Sequence, residues 1–402
     1  MVREYKDSGI TWIGSIPKEW KTERIKVLFS ERNERDCQGK TLLSVSQYFG
    51  IRPKSETDLA DSHIAESYDD YKEVRKGDFV MNIMLAWNGS YAVSDYDGIV
   101  SPAYCVFKFR KDCCKKYFHY LLRTDGYPSA FKTMSRGVID SRLRLYPEQF
   151  YTFPVIIPSV DEQQRIADYL DKKCAEIDGL IELQEQMIAQ LTDYKQSVIT
   201  EAVTKGINPD AQLVPSGIDS IGDVPEEWKV CQLKRFLLFQ NGQDYKEIEV
   251  KEGDGFPVYG SGGIFTYAER YMYDGESVLF GRKGTVNRPL YVNCKFWTVD
   301  TMYYTIPKKD VNCKFMYYVA TTLPFDKYST STALPSMTQT ILGNLKVAIP
   351  AKDEQSVIVE YLDKKCGEID NLIAVKQQKI ETLKEYKKSI IFECVTGKKE
   401  IN

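Results

Sequence analysis

Histidine is scarce in this sequence: His63 and His119 are the only two among 402 residues. That excludes a multi-histidine metal centre, and nothing in the sequence positions either ring for Ser/His/Asp chemistry. No apolar run approaches the ~20 residues needed to cross a bilayer. The opening Met1-Val-Arg-Glu-Tyr-Lys6 lacks the apolar core of a signal peptide. A cytoplasmic protein with no membrane partner is therefore expected. Ten cysteines are present but scattered, and the adjacent pair Cys113-Cys114 has no second Cys or His pair at zinc spacing. Reduced thiols are the expected state. No GxxxxGK[ST] phosphate loop occurs, no Asn-Pro-Pro-Tyr/Phe motif, and no glycine-rich methyl-donor loop after a first strand. Pro209-Asp210 with Glu227-Trp-Lys229 loosely fits a nuclease pattern, but the matching Glu19-Trp-Lys21 has no Pro-Asp before it. No catalysis is expected of this chain itself.

What the sequence does have is a long internal repeat. Asp161-Glu-Gln-Gln-Arg-Ile-Ala-Asp-Tyr-Leu-Asp-Lys-Lys-Cys-Ala-Glu-Ile-Asp178 returns as Asp353-Glu-Gln-Ser-Val-Ile-Val-Glu-Tyr-Leu-Asp-Lys-Lys-Cys-Gly-Glu-Ile-Asp370. Upstream, Ser8-Gly-Ile-Thr-Trp-Ile-Gly-Ser-Ile-Pro-Lys-Glu-Trp-Lys21 returns as Ser216-Gly-Ile-Asp-Ser-Ile-Gly-Asp-Val-Pro-Glu-Glu-Trp-Lys229. A period this long marks two copies of a whole module. The helix copies stand 192 residues apart and the opening copies 208, so the modules keep their ends and differ in the middle. This reads as a shared frame with separate specificities.

Residues 22–157 mix short Val/Ile/Tyr/Phe runs with turns, as in Asp78–Met84 and Tyr104–Phe109, and Lys116–Thr124 reads as a short amphipathic helix. The second segment repeats this order with Ser277–Phe280, Thr301–Ile306 and Lys314–Thr322. Each segment ends in an apolar strand running into proline, and then Asp-Glu-Gln opens a helix. The apolar positions there fall into heptads over about five repeats, which argues a coiled coil. One row is Leu170, Ile177, Leu191 and Val198, interrupted by Gln184; a second is Ile166, Leu180, Met187 and Tyr194, interrupted by Lys173. The later copy gives Leu362, Ile369, Leu383 and Ile390, then Ile358, Leu372 and Tyr386, with Lys365, Lys376 and Lys379 interrupting. A third row (Cys174, Ile181, Ile188; Cys366, Ile373, Ile380) widens the stripe toward a neighbouring domain or subunit. Gly206 and Gly397 are suitable C-terminal caps. The domains expected are 1–157, 158–206, 207–349 and 350–402, alternating head and helix, so the helices can pack antiparallel about a pseudo-two-fold axis.

The net charge of −3 conceals segregation. From Ala103 to Pro147 there are ten Lys/Arg against three Asp/Glu, net +7, and from Gly281 to Lys346 nine against three, net +6. Ser159–Gly206 carries five against ten, net −5. Basic patches late in each head are the electrostatic footprint of DNA binding, and the acidic helix is not the DNA-contacting element. In the second head, the glycines of Tyr259-Gly-Ser-Gly-Gly263 and Gly281-Arg-Lys-Gly-Thr-Val-Asn287 let a backbone approach a partner closely, and Arg-Lys between the latter's glycines supplies phosphate contacts. Ser331–Thr340 is a polar loop, and Ala86–Tyr91 with Gly137–Arg144 holds the matching place in the first head, Arg142 and Arg144 alternating on one strand face.

Together these motifs resemble the specificity subunit of a type I restriction–modification system. The repeated Asp-Glu-Gln…Tyr-Leu-Asp-Lys-Lys…Glu-Ile-Asp helices carry the resemblance, with the Gly-Ile…Ile-Gly…Pro-x-x-Trp openings, Tyr259–Gly263, Gly281–Gly284, Trp297-Thr-Val-Asp300 and Gly98-Ile-Val-Ser-Pro102. It covers essentially the whole chain; lysines at core helix positions depart from it. The fold implied is α+β: two similar α/β target-recognition domains joined by two long antiparallel coiled-coil helices with pseudo-two-fold symmetry. The function implied is non-catalytic reading of double-stranded DNA, each domain taking one half of a bipartite site. Candidate DNA contacts are Trp87, Asn88, Ser90, Arg136, Arg142 and Arg144 in the first head. In the second they are Tyr259, Ser261, Gly262, Arg282, Lys283, Thr285, Asn287, Ser336, Thr338 and Gln339. Candidate subunit-interface residues are Leu170, Ile177, Ile181, Ile188, Leu191, Leu362, Ile369, Ile373, Ile380 and Leu383. Two modification subunits would dock there and methylate adenine with S-adenosylmethionine, and two restriction subunits could join and cut with ATP and magnesium. This chain itself would bind no cofactor. The competing reading is a non-enzymatic scaffold whose heads hold proteins or glycans; a steep loss of affinity with salt separates the two.

Overall fold

The computed structural model describes residues 3–35, 40–57, 68–328 and 335–401. His63 and the first four residues of the Ser331–Thr340 loop lie outside them. The chain forms two compact units: Met1–Leu183 with Lys379–Asn402, and Gln184–Gln378. Two helices far longer than the ~11 residues usual in globular proteins contribute to both. They run from Val160 to Lys205 (46 residues) and from Lys352 to Val395 (44 residues). Asp161 and Glu162, and later Asp353 and Glu354, occupy their first turns, where carboxylates meet the positive end of the helix dipole. Gly206 and Gly397 follow their last turns at φ +75° and +72°, the left-handed conformation that closes a helix.

The first unit opens with a hairpin, Tyr5–Asp7 on Ser15–Pro17. Its central sheet is four antiparallel strands in the order Phe29–Arg32, Tyr104–Phe109, Phe79–Asn82, Tyr91–Val93. Helices Lys115–Leu122 and Gly126–Met134 pack beside it, and Pro154–Ile157 closes against Lys21–Arg24, Ile156 facing Thr22. The core is aromatic: Phe29, Phe79, Tyr91, Phe107, Tyr117, Phe118, Tyr127, Phe131 and Phe150 are fully buried. Phe79 and Phe150 stack at 5.6 Å and 8°. Each such side chain contributes about 1.5–3 kcal/mol on burial. Ile166, Leu170 and Ile177 of the first long helix join this core, as do Ile390, Cys394 and Val395 of the second. The two helix segments run antiparallel here, since Lys387 Nζ meets Asp178 at 2.7 Å while Lys399 lies over the ring of Tyr169.

The second unit has the same ends and a different middle. Its opening hairpin pairs Leu213–Pro215 with Asp223–Pro225, and its closing pair sets Val230 opposite Ala348. Between them stand seven strands, ordered Leu237–Asn241, Met302–Pro307, Tyr273–Gly281, Leu290–Thr298, Phe256–Gly260, Gly263–Ala268, Glu249–Val250. One neighbouring pair is parallel, Val258 opposite Trp297. Trp228, Phe280, Phe315 and Met316 form the core with Val198, Ile199, Ala202 and Val203 from the first long helix and Ile358 and Leu362 from the second. Lys195 bonds Asp370 at 2.7 Å, and Lys376 makes a weak 3.5 Å contact with the buried Gln184. Two of the polar residues that interrupt the heptads, Gln184 and Lys376, thus meet each other, while Lys173 and Lys365 pair with Glu176 and Glu368 on their own helices. Among the described residues no helix is long and apolar enough to cross a membrane.

Candidate nucleic-acid interface

The repeated helix residues hold each head to its long helix. In the first unit Gln163, 1% exposed, accepts from the Cys114 N–H and donates to the Pro158 carbonyl; Glu162 accepts from Trp20 Nε1 at 2.8 Å. Asp171 accepts from Lys116 Nζ at 2.5 Å and from the Tyr120 hydroxyl at 2.7 Å. The second unit repeats every bond: Gln355 with Asn312 N–H and Pro350 carbonyl, Glu354 with Trp228, Asp363 with Lys314 and Tyr318. Burial and then the Asp171 bond push the Tyr120 phenol up, and Tyr318 responds likewise to burial and Asp363, so both remain hydroxyl donors. The Glu and Gln of the Asp-Glu-Gln signature and the Asp of Tyr-Leu-Asp therefore make docking bonds.

On the first head, the loop Ala86–Asn88 and the segment 136–144 converge. Lys132 links them: its Nζ lies 4.9 Å over the half-buried Trp87 ring and bonds Asp140 at 2.8 Å. Trp87 Nε1 donates to the Met84 carbonyl. Asn88 Oδ1 accepts from both the backbone N–H and the hydroxyl of Ser90. Ser90 is 3% exposed, so it supports the loop and cannot reach a duplex. Arg136 and Arg144 exchange two backbone hydrogen bonds of 2.9 Å, forming an antiparallel bridge. Arg142 is not on that strand face, because Asp140–Arg142 is a single 3-10 turn. Arg136 and Arg142 are exposed and Arg144 is half-buried. Behind the loops sits Arg123, which donates to the carbonyls of Gln47, Gly89 and Tyr91 at 2.5–3.3 Å. Burial lowers its pKa from the ordinary value, so it acts as a desolvated clamp on two loops.

On the second head, Gly281 lies so close to the Thr285 carbonyl that a Cβ would stand 2.2 Å from it; only glycine fits this turn. The turn carries exposed Lys283, Thr285 and Asn287. It is bridged to 335–337: Lys283 pairs with Ser336, and Met337 N–H donates to the Arg282 carbonyl. Arg282 is half-buried, its Nη1 3.4 Å from the Asp300 carbonyl. Asp300 also lines a cleft of about 580 Å³ with Ser261, Gly262, Tyr245 and Phe265. Tyr259 packs edge-on to Phe296 at 6.0 Å, and burial pushes its phenol up to about 12. Two polar candidates are already engaged. The Thr338 hydroxyl accepts from Ile341 N–H as a helix cap, and Gln339 Nε2 donates to Asn241.

Of the interface candidates on the long helices, Leu170, Ile177, Leu362, Ile369 and Ile380 are buried within the chain, which removes them from contact with another subunit. Ile181 and Leu383 pack on the first core, and Ile188, Leu191 and Ile373 are half-buried. Exposed apolar side chains stand instead at Leu180, Leu183 and Tyr386 in the first unit and at Met187, Tyr194, Leu372 and Val375 in the second. Among the described residues no group of three or more His, Cys, Asp and Glu could hold a metal.

Comparison with known proteins bears on both heads. The family described as type I restriction modification DNA specificity domain matches residues 17–193 and 225–385. The type I restriction enzyme MjaVIII specificity subunit of Methanocaldococcus jannaschii is 22% identical over 423 residues, covering 95% of this chain and 93% of that protein. A chain from work on assembly and conformational transition of the type I R-M system superposes with TM-score 0.72 at 17% identity, covering 95% of this chain and 99% of its own. The HsdS subunit of Thermoanaerobacter tengcongensis does so at 0.52 and 17%, covering 95% and 98%.

Proposed function

The chain belongs to the type I restriction modification DNA specificity family, and from that premise we propose how its two units divide the reading of DNA. As a specificity subunit it is the non-catalytic, sequence-recognising member of a restriction–modification system. Each head reads one half of a bipartite duplex target. The first uses the arginine-bearing segment 136–144 beside Trp87, and the second uses the Arg282–Asn287 turn with Ser336. The single observation that carries this is the cationic, bridged loop on each head. Arginine and lysine on a fixed backbone suit phosphate oxygens and guanine edges.

The two long helices serve as an antiparallel, pseudo-two-fold spacer that fixes the gap between half-sites. Their lengths support this: 46 and 44 residues at ~1.5 Å rise correspond to roughly 65–70 Å. Two heads rigidly spaced multiply weak half-site affinities through effective concentration. Two modification subunits dock on the exposed apolar positions of the helices, and restriction subunits join through them. S-adenosylmethionine, ATP and magnesium belong to those partners, and this chain binds none. The protein scaffold reading has no observation in its favour.

Methylation-sensitive sequencing of DNA from cells expressing the chain with its modification subunit tests the reading. A two-part motif with a constant gap is the expected result. Methylation that does not depend on this chain, or a motif in one continuous block, would overturn it.

A further inference from the structure

The first head presents two β-branched apolar residues where turn chemistry favours Asn, Gly, Asp or Ser. Val138 is 97% exposed and Ile139 54%. Lone exposed apolar side chains are ordinary on protein surfaces; what sets this pair apart is its mounting. The segment is closed by the Arg136–Arg144 bridge, by the Arg142 N–H donating to the Ile139 carbonyl at 2.8 Å, and by Asp140 tied to Lys132. Its trailing end is anchored by buried Leu143 and Leu145. Gly137, at φ +151°, lies so near the Arg142 carbonyl that a Cβ would stand 2.5 Å from it. The apolar tip is therefore rigid, and arginines flank it on both sides.

We propose that Val138 and Ile139 are specificity-determining residues that contact a thymine 5-methyl group in the major groove. This inference rests on the DNA-reading function given above. Arginines on either side of the tip suit phosphates, and the thymine methyl is the one aliphatic group on a base edge. Two chains of a bridged hairpin fit the ~12 Å major groove, which admits a β-ribbon, and not the ~6 Å minor groove.

The test uses the full chain assembled with its modification subunits and a duplex carrying its sequenced target. Each thymine is replaced in turn by deoxyuridine, which removes only the methyl. Wild type should lose about fourfold in affinity at one thymine of one half-site, the worth of one buried methyl. Val138→Ser, alone or with Ile139→Ser, should bind the thymine and deoxyuridine duplexes equally and leave the other half-site unchanged. Both side chains are exposed, and an unchanged thermal midpoint confirms that the variants fold. No sensitive thymine, or sensitivity that survives in the double variant, overturns the inference. Wild type that fails to prefer its target over a scrambled duplex would instead overturn DNA reading itself, so the two failures are distinguishable.

Discussion

Gln163 and Gln355 are each shut away from water, with carbonyl and amide both engaged across the joint between head and helix. Replacing Gln163 by Leu keeps the volume but strands the Cys114 N–H and the Pro158 carbonyl. Each buried orphan costs about 1–3 kcal/mol, so for the two a loss of ~2–6 kcal/mol is expected in urea unfolding. An unchanged midpoint would show that the joint is held by apolar packing alone. His119 sets a pH dependence. Burial first, then Arg123 and Lys116, hold its pKa well below the usual value. The unfolded chain therefore binds the extra proton below about pH 6.5, and stability falls as the pH drops through that range. His119→Gln should flatten the acid limb of a Tm-versus-pH curve. In the second head, Arg282→Ala or Lys283→Ala should weaken DNA binding several-fold at low salt; an unaltered titration would remove those side chains from the interface. None of the docking residues stands out in the sequence by its chemistry, although repetition of Gln163 and Asp171 at Gln355 and Asp363 is the available signal. Charge and glycine lead instead to the loops, and they do not reveal that the Ser90 and Thr338 hydroxyls are spent inside their own loops.

The heptads mark both long helices from their first acidic turns to their glycine caps, because an apolar stripe of 3.5-residue period sustained over some forty residues fits neither strands nor a short helix. The same stripe does not say which row faces inward. Leu180, Met187, Tyr194 and Leu372 read as seam positions and are exposed, while Gln184, read as an interruption, is buried. Antiparallel pairing is the cause, since Gln184 meets Lys376 on the opposite helix. The sheets are legible only as short runs. Strand order depends on long-range pairing, such as Val258 beside Trp297, which local alternation does not encode. Deleting one heptad from each long helix at facing positions shortens the spacer by about 10 Å, or about three base pairs. Sequencing of the methylated motif should show the gap reduced by that amount with both half-sites retained. An unchanged gap would sink the spacer role.

At the scale of the molecule, a net charge of −3 coexists with two cationic reading segments. Affinity should fall linearly on a log–log salt plot, with a slope proportional to the phosphates neutralised. A flat plot would show that arginine and lysine do not face the backbone.

The first unit is completed by the end of the chain. Gly397 lies against Pro17 and Trp20, the Tyr5 hydroxyl donates to its carbonyl, and Tyr117 donates to the Val395 carbonyl. This makes folding a matter of timing. At 5–20 residues per second, the ribosome needs roughly 10–40 seconds to pass from the end of the first head's helix segment to the residues that seal it. During that interval Trp20 and Tyr117 lack these contacts, which leaves the nascent head open to proteases and chaperones while the second unit is being made.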